Sequence, residues 1–385
     1  MSTRPKAADH STLRVLYIFE FADSADDGMS RSLLERLRAT LPGFTSPCVH
    51  GIFTTYSPGG LNPKRLVNLF WVYGWVVMHL LWRPPDAIIV RSSPPGIQIW
   101  AAWWASLNSV PVFCWLMDYH PEIEARMLAK RGLGWMAQVL RSIDETSLPR
   151  FRAVIVPDRA MGDLVRSRSA GVEVFEHPTW AEKSPSRSPL AARNHEPTGR
   201  LCLAYAGNLG KAHNLEPFGA LLSELTRLRP VELIVVGGSD EGAARFRRLG
   251  EQAGIRVVFR PRVPRFEQLR DVYTEFRVDL GVVLLSDDSA GVVSPSKFSG
   301  YIDFGLPLLY VGPPGTNAAE VCTRFGGGFW LSSHASAATR SDLAASIISP
   351  DRLEAAAKSA RRASEHFASL NQDTLAAFLA PRLTR

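Results

Sequence analysis

The sequence predicts an α/β protein built from two doubly wound parallel-sheet domains, and three observations predict it. Short runs rich in Val, Ile and Leu alternate with longer helix-compatible stretches, the pattern of strands buried on both faces between crossover helices. The chain has 385 residues, enough for two domains that each bury their own core. A polar, Pro/Ser-rich segment with no apolar period, Ala181 to Gly199, separates the strand-bearing stretches into two sets.

Each element follows from local composition. Arg14 to Phe19 is a β-branched and aromatic run that gives way to acids, so it reads as the first strand, and Ser32 to Leu41 as the helix that follows. Leu66 to Trp82 is the most apolar segment, broken by Asn68 and His79 and flanked by Lys64, Arg65 and Arg83. It falls short of the roughly 20 residues that cross a bilayer, which predicts a buried or membrane-surface helix. Further strands are expected at Ala87 to Val90, Val110 to Leu116, Ala153 to Val156 and Val172 to Glu176. The second set comprises Leu201 to Ala206, Glu232 to Val236, Arg256 to Phe259, Leu280 to Leu284 and Leu308 to Val311. The expected domains are residues 1–195 and 196–385, with a linker at about 181–199. The alanine-rich helical tail, Asp351 to Arg385, is a candidate to pack back on the first domain.

Composition limits the functional classes. With 46% apolar and 21% charged residues, disordered, collagen-like and disulfide-scaffold proteins are excluded. Cys48, Cys114, Cys202 and Cys322 are widely spaced, without metal-ligand pairing, and fit a reducing cytoplasm. No secretory signal is read in the polar Met1 to Ser11 segment. The net charge of +7 permits an anionic partner, but no nucleic-acid module or dense basic stripe is present. Eight of the ten tryptophans fall between Trp71 and Trp135. They are either core or a surface that meets a membrane.

In open parallel sheets ligands bind where strands end and helices begin, so the loops after strands hold the candidate site. After the first strand, Gly28 either allows close backbone approach to an anionic group or makes a plain tight turn. After the strand at Val110 come Asp118, His120 and Glu122, which either cap a helix or supply a base and orient a substrate hydroxyl. The second domain opens with Tyr205-Ala-Gly-Asn-Leu-Gly-Lys-Ala-His213. There Gly207 and Gly210 clear space, Asn208 lies between them, and Lys211 and His213 are expected to add positive charge. Gly237-Gly238-Ser239 is a second glycine turn. Pro295-Ser296-Lys297 begins a helix whose free backbone donors, with the Lys297 cation, suit a diphosphate.

These pieces, in this order, resemble the family 4 glycosyltransferases of GT-B fold. The resemblance is to the branch that builds cell-surface polysaccharide and glycolipid. It is carried by the first strand with its loop to Gly28, Asp118-Tyr-His-Pro-Glu122, Tyr205-Ala-Gly-Asn-Leu-Gly210, and Pro295-Ser-Lys297 with Gly305-Leu-Pro307. It implies a nucleotide-sugar donor, UDP-linked in preference to GDP-linked, on the second domain near Gly207, Asn208, Lys211, His213, Ser296 and Lys297. Gly28, at the cleft floor, and Asp303 would belong to the donor diphosphate site; an acceptor would sit on the first domain near Asp118 and Glu122, with catalytic roles for Asp118, His120 and Lys297. It further implies retention of anomeric configuration, no metal or other cofactor, and leaving-group stabilisation by cations. Two carboxylates common in the family are replaced here by Val292 and Gly300, for which Asp303 or Glu320 are the candidate substitutes.

The expected function is a retaining sugar transferase acting on a lipid-linked or membrane-associated glycan acceptor, peripheral on the inner face of the cell membrane. The alternative is a catalytically weak or inactive GT-B scaffold subunit of a membrane glycosylation complex. An epimerase or phosphorylase on the same fold accounts less well for the Trp-rich domain, and no pyridoxal-phosphate lysine motif is present.

Overall fold

A computed structural model describes residues 12–19, 25–49, 63–93, 96–179, 199–210, 212–263 and 266–383. The chain forms two compact units, one from Met1–Pro157, Gly162–His177 and Leu370–Arg385, the other from Asp158–Met161 and Pro178–Ser369. The linker expected at 181–199 lies almost wholly outside the described residues.

The first unit runs β1 (Val15–Ile18), α1 (Ala25–Thr40), β2 (Cys48–Val49), α2 (Pro63–Trp82), β3 (Ala87–Arg91), α3 (Ile97–Leu107), β4 (Val112–Trp115), α4 (His120–Lys130), α5 (Gly134–Ser147), β5 (Ala153–Val156), α6 (Arg159–Arg168) and β6 (Val174–Glu176). Its six strands pair in parallel in the order β2-β1-β3-β4-β5-β6. Every residue of β1, β3, β4 and β5 is buried, as a sheet covered on both faces requires. The chain steps one way from β1 to β2 and the other way from β2 onward. Right-handed crossovers therefore place α1 on one face, and α2, α3 and α5 on the other. On α2 the residues Asn68, Val72, Val76 and Leu80 recur every four positions and are buried, so one stripe of this helix packs inward.

The second unit runs β7 (Leu201–Ala206), α7 (Glu216–Leu228), β8 (Val231–Val236), α8 (Asp240–Ala253), β9 (Arg256–Arg260), α9 (Phe266–Glu275), β10 (Leu280–Leu284), α10 (Lys297–Asp303), β11 (Leu308–Val311), α11 (Asn317–Thr323), β12 (Gly328–Leu331), α12 (Ala337–Ile347) and α13 (Pro350–Ser369). Its strands are again all parallel, in the order β12-β11-β10-β7-β8-β9. The last helix, α14 (Gln372–Leu383), belongs to the first unit and packs on α1. There Arg36 pairs with Asp373 at 3.0 Å and Phe378 stacks on Phe175 at 3.9 Å.

All ten expected strands are present. Two short edge strands, β2 and β12, were not foreseen. The first has only two residues, and the second begins at a glycine that reads as part of a turn. Gly328 is required by the pairing itself, because a Cβ there would come within 2.4 Å of the Leu308 carbonyl oxygen on β11. A second correction concerns Gly28. Helix α1 starts at Ala25, so Gly28 lies within its first turn and not at the end of a glycine loop.

Candidate functional site

In a doubly wound sheet the crevice opens where the strand order reverses, at the carboxyl ends of the two central strands. In the second unit that point lies between β7 and β10. The chain leaves β7 through Gly207-Asn208-Leu209-Gly210, and the segment after β10 leads to Lys297, the first residue of α10.

The two segments meet. Lys297 Nζ donates to Tyr205 Oη at 2.6 Å and to the Asn208 carbonyl oxygen at 3.0 Å, and Tyr205 Oη donates to the same carbonyl at 2.9 Å. Burial holds the Tyr205 hydroxyl protonated, so it remains a donor. Two of the three ammonium protons are thereby used, and among the described residues the third has no protein partner. Desolvation pushes the Lys297 pKa down to about 8. A half-buried cation short of solvent and of one hydrogen bond gains from an anion.

Glycines shape the space around it. Gly207 has φ 104°, and a Cβ there would approach Lys297 Cε to 3.0 Å, so only glycine allows both the turn and the lysine. Gly238, also at φ 104°, packs against the Gly207 carbonyl, so the second glycine turn supports the first. Ser239 caps α8 by accepting from the Gly242 amide at 3.2 Å.

The loop is clamped from behind. Arg245 donates to the carbonyls of Gly210 at 3.3 Å and His213 at 3.0 Å, a role not read from the sequence. His213 Nδ1 accepts from the Gly210 amide at 3.0 Å, and burial, with Lys297 and Arg245 nearby, lowers its pKa to about 4. The imidazole is therefore neutral at pH 7 and does not add the positive charge expected of it. Lys211 lies outside the described residues. Helix α10 has only seven residues, and Ser296 at its start makes no side-chain cap; its carbonyl accepts from Ser299 Oγ at 3.0 Å.

Tyr301, one turn beyond Lys297 on α10, locks that helix to the sheet. Its hydroxyl donates to the Ala204 carbonyl at 3.1 Å and accepts from the Ala206 amide at 2.9 Å. The only sequence signal for this residue is its i+4 spacing from Lys297. The candidate carboxylate substitutes point elsewhere. Asp303 accepts from Ser364 Oγ on α13 at 2.5 Å, and Glu320 pairs with Arg324 one turn along α11. Val292 is buried.

In the first unit, the carboxyl end of β4 presents half-buried Asp118, while His120 Nδ1 meets Glu124 Oε1 at 3.0 Å. Glu122 does not face this edge. It is buried and bonded to Arg126 at 2.7 Å, to Arg141 at 3.0 Å, and to Arg168. Burial alone would raise its carboxyl pKa, but the guanidinium bonds more than reverse this, leaving it lowered. The expectation of an acceptor-side Glu122 is thus replaced by a structural hub. Nearby Asp144 accepts from Tyr119 Oη at 2.5 Å, and burial raises its pKa to about 6. At the reversal point between β1 and β3, buried Arg91 reaches Ser30 Oγ at 3.4 Å and lies over the Trp115 ring. Its sequence signal was an arginine closing an otherwise apolar strand.

The two buried acids are expected to respond oppositely. Glu122→Gln leaves three guanidinium groups without their shared anion and should cost about 3 kcal/mol at pH 7. A lowered pKa stabilises the fold above the ordinary carboxylate range, so this cost should shrink as pH falls below about 4. Asp144→Asn keeps the Tyr119 bond, and a raised pKa contributes stability only below about 6, so at pH 7 the change should stay within about 1 kcal/mol. Urea unfolding at the two pH values measures both.

Residues 27–180 match the family model of the glycosyl transferase 4-like domain. That stretch of the chain is a glycosyl transferase 4-like domain. Solved structures agree on its fold. HepE of Anabaena, in complex with UDP-glucose, superposes with a TM-score of 0.64 at 13% identity, covering 96% of this chain and 99% of that one. Sucrose-phosphate synthase of Thermosynechococcus elongatus gives 0.63 at 14% identity, with 96% and 98% covered. The lipopolysaccharide outer core galactosyltransferase WaaB, in its apo form, gives 0.59 at 11% identity, with 96% and 99% covered. No curated protein sequence matches the chain. The chain thus has the GT-B fold, with two six-stranded parallel sheets flanked by helices. Among the described residues, no group of three His, Cys, Asp or Glu side chains is placed to hold a metal ion.

Proposed function

We propose that the transferase binds a uridine-diphosphate sugar on its second unit and moves the sugar, with retention of configuration and without a bound metal, to a membrane-borne glycan or lipid-linked acceptor taken by the first unit. The observation that carries this is Lys297, an ammonium with one unpartnered proton beside a side-chain-free turn at the reversal point of the sheet. When the sugar–phosphate bond breaks, negative charge grows on the departing diphosphate, and a fixed, partly desolvated cation stabilises that charge more than the ground state. HepE, whose structure contains UDP-glucose, supports uridine as the base, and WaaB, a lipopolysaccharide galactosyltransferase, supports a surface-glycan acceptor. Asp118 and His120, at the carboxyl end of β4, are proposed to orient the acceptor hydroxyl. The scaffold alternative draws on Val292 and Gly300, where two family carboxylates are missing, but not on the diphosphate side, where the cation and glycines are in place.

A panel of UDP- and GDP-sugars, incubated with lipid extracts in the presence of a chelator, tests this reading. The expected result is a glycosylated lipid or glycan formed from a UDP-sugar, with the donor anomer kept. Full dependence on an added divalent cation, an inverted product, or no transfer from any donor would contradict it. Within that assay Asp118→Asn should lower turnover by about a hundredfold while UDP affinity stays unchanged. Undiminished transfer would remove Asp118 from the site.

A further inference from the structure

Among the described residues, every large apolar side chain that is exposed lies between Val67 and Ile143, apart from Leu228. These residues form stripes. On α2, Val67, Phe70, Trp71, Trp75, Met78, Leu81 and Trp82 occupy the side opposite the buried Asn68, Val72, Val76 and Leu80. On α3, Trp100, Trp103 and Leu107 are spaced i, i+3, i+7, and on α5 Trp135, Val139 and Ile143 are spaced i, i+4, i+8, so each set shares one helix face. Right-handed crossovers put these three helices on one face of the first sheet. Two contacts tie them together: the Tyr73 hydroxyl lies close against Gly96 at the start of α3, and Trp103 Nε1 donates to Ser147 Oγ of α5 at 3.1 Å.

We infer that this face docks on the surface of an anionic lipid bilayer. Its chemistry selects that occupant. From Leu66 to Trp82 and from Ile97 to Leu107 there is no Lys, Arg, Asp or Glu, so the exposed apolar stripes of α2 and α3 are not broken by a charge. Six of its side chains are tryptophans, whose amphipathic rings favour the boundary between headgroups and acyl chains. No described helix is long and apolar enough to cross a membrane, so these helices can only lie along one. Along the chain these helices are flanked by exposed Arg83 after α2, Lys130 and Arg131 between α4 and α5, and Arg152 before β5, against exposed Asp86 and Glu145, a basic excess suited to anionic headgroups. The face thereby brings the acceptor-binding unit to its substrate, and the inference rests on the proposal of a membrane-borne acceptor.

Flotation of the full chain with phosphatidylcholine vesicles, with and without phosphatidylglycerol, tests it. Flotation with the anionic vesicles is expected, together with quenching of tryptophan fluorescence by brominated lipid. The triple variant Phe70→Glu, Trp82→Glu, Trp100→Glu changes only exposed positions and should lower partitioning at least about tenfold, with melting temperature and UDP affinity unaltered. A chain that stays soluble with both vesicles, a variant that floats as well as the parent, or a dimer by light scattering that the variant makes monomeric would overturn the inference. UDP titration reports separately on the donor site, so loss of docking with UDP binding intact would overturn only the membrane surface.

Discussion

Replacement of Lys297 by alanine is expected to weaken UDP binding by about a hundredfold, equivalent to about 3 kcal/mol, and to lower turnover by at least as much. The ammonium joins the loop after β7 to the segment after β10, through Tyr205 and Asn208. Its removal would take away both the proposed charge-assisted bond to the diphosphate and one of the two hydrogen bonds to the Asn208 carbonyl. The fold should survive, because Tyr205 still donates to that carbonyl at 2.9 Å. Arginine is not expected to restore function, since Gly207 already lies in close contact with the lysine stem. The same residue sets a pH dependence. With its pKa held near 8 by desolvation, Lys297 is mostly charged at pH 7 and loses its proton as pH rises through 8. UDP affinity should therefore fall above pH 8 in the parent protein and stay flat across that range in Lys297→Ala. A bound anion raises the lysine pKa, so binding at pH 8 should take up protons, which calorimetry in buffers of different ionisation enthalpy detects.

Gly281→Ala is expected to be the most destabilising conservative change in the second unit. Gly281 lies in the middle of two parallel pairings, with Ala204 of β7 and Leu308 of β11. A Cβ at this position would fall 2.2 Å from Tyr301 Cγ and 2.3 Å from Cδ1, and the ring is fully buried. It has nowhere to move without giving up its bonds to Ala204 and Ala206, so overpacking should cost about 3 kcal/mol. For a unit of this size that is a melting-temperature loss of roughly 6 to 12 °C. Relief by shifting α10 would carry Lys297 away from the glycine turn, so residual folded protein should bind UDP more weakly. A variant as stable as the parent would show that Tyr301 does not fix α10.

The buried strands were legible because a strand covered on both faces must be apolar throughout, a property visible in Ala153–Val156 or Leu280–Leu284 without any partner. The Gly207 turn was legible for a related reason, as a glycine at the end of such a run, and Lys297 was legible as a cation at the start of a helix. What escaped the sequence depends on distant residues. Glu122 was read as facing an acceptor because its spacing from Asp118 says nothing about which side of α4 it takes. Its fate is decided by Arg141 and Arg168, 19 and 46 residues away. His213 was counted as a charge, yet its pKa is governed by burial and by Lys297, from another part of the fold. The tryptophans of α2, α3 and α5 were open to two readings because apolar periodicity on both sides of a helix does not reveal which side meets the sheet. Burial of Asn68 and exposure of Trp71 settled that α2 turns its aromatic side outward.

The most direct test of the donor site is calorimetric titration of the chain with UDP at pH 7 in the presence of a chelator. One UDP per chain is expected, with affinity lost in Lys297→Ala and retained in Asp118→Asn. Failure to bind UDP under these conditions, or binding that Lys297→Ala leaves intact, would contradict the assignment of the site at the β7 and β10 strand ends.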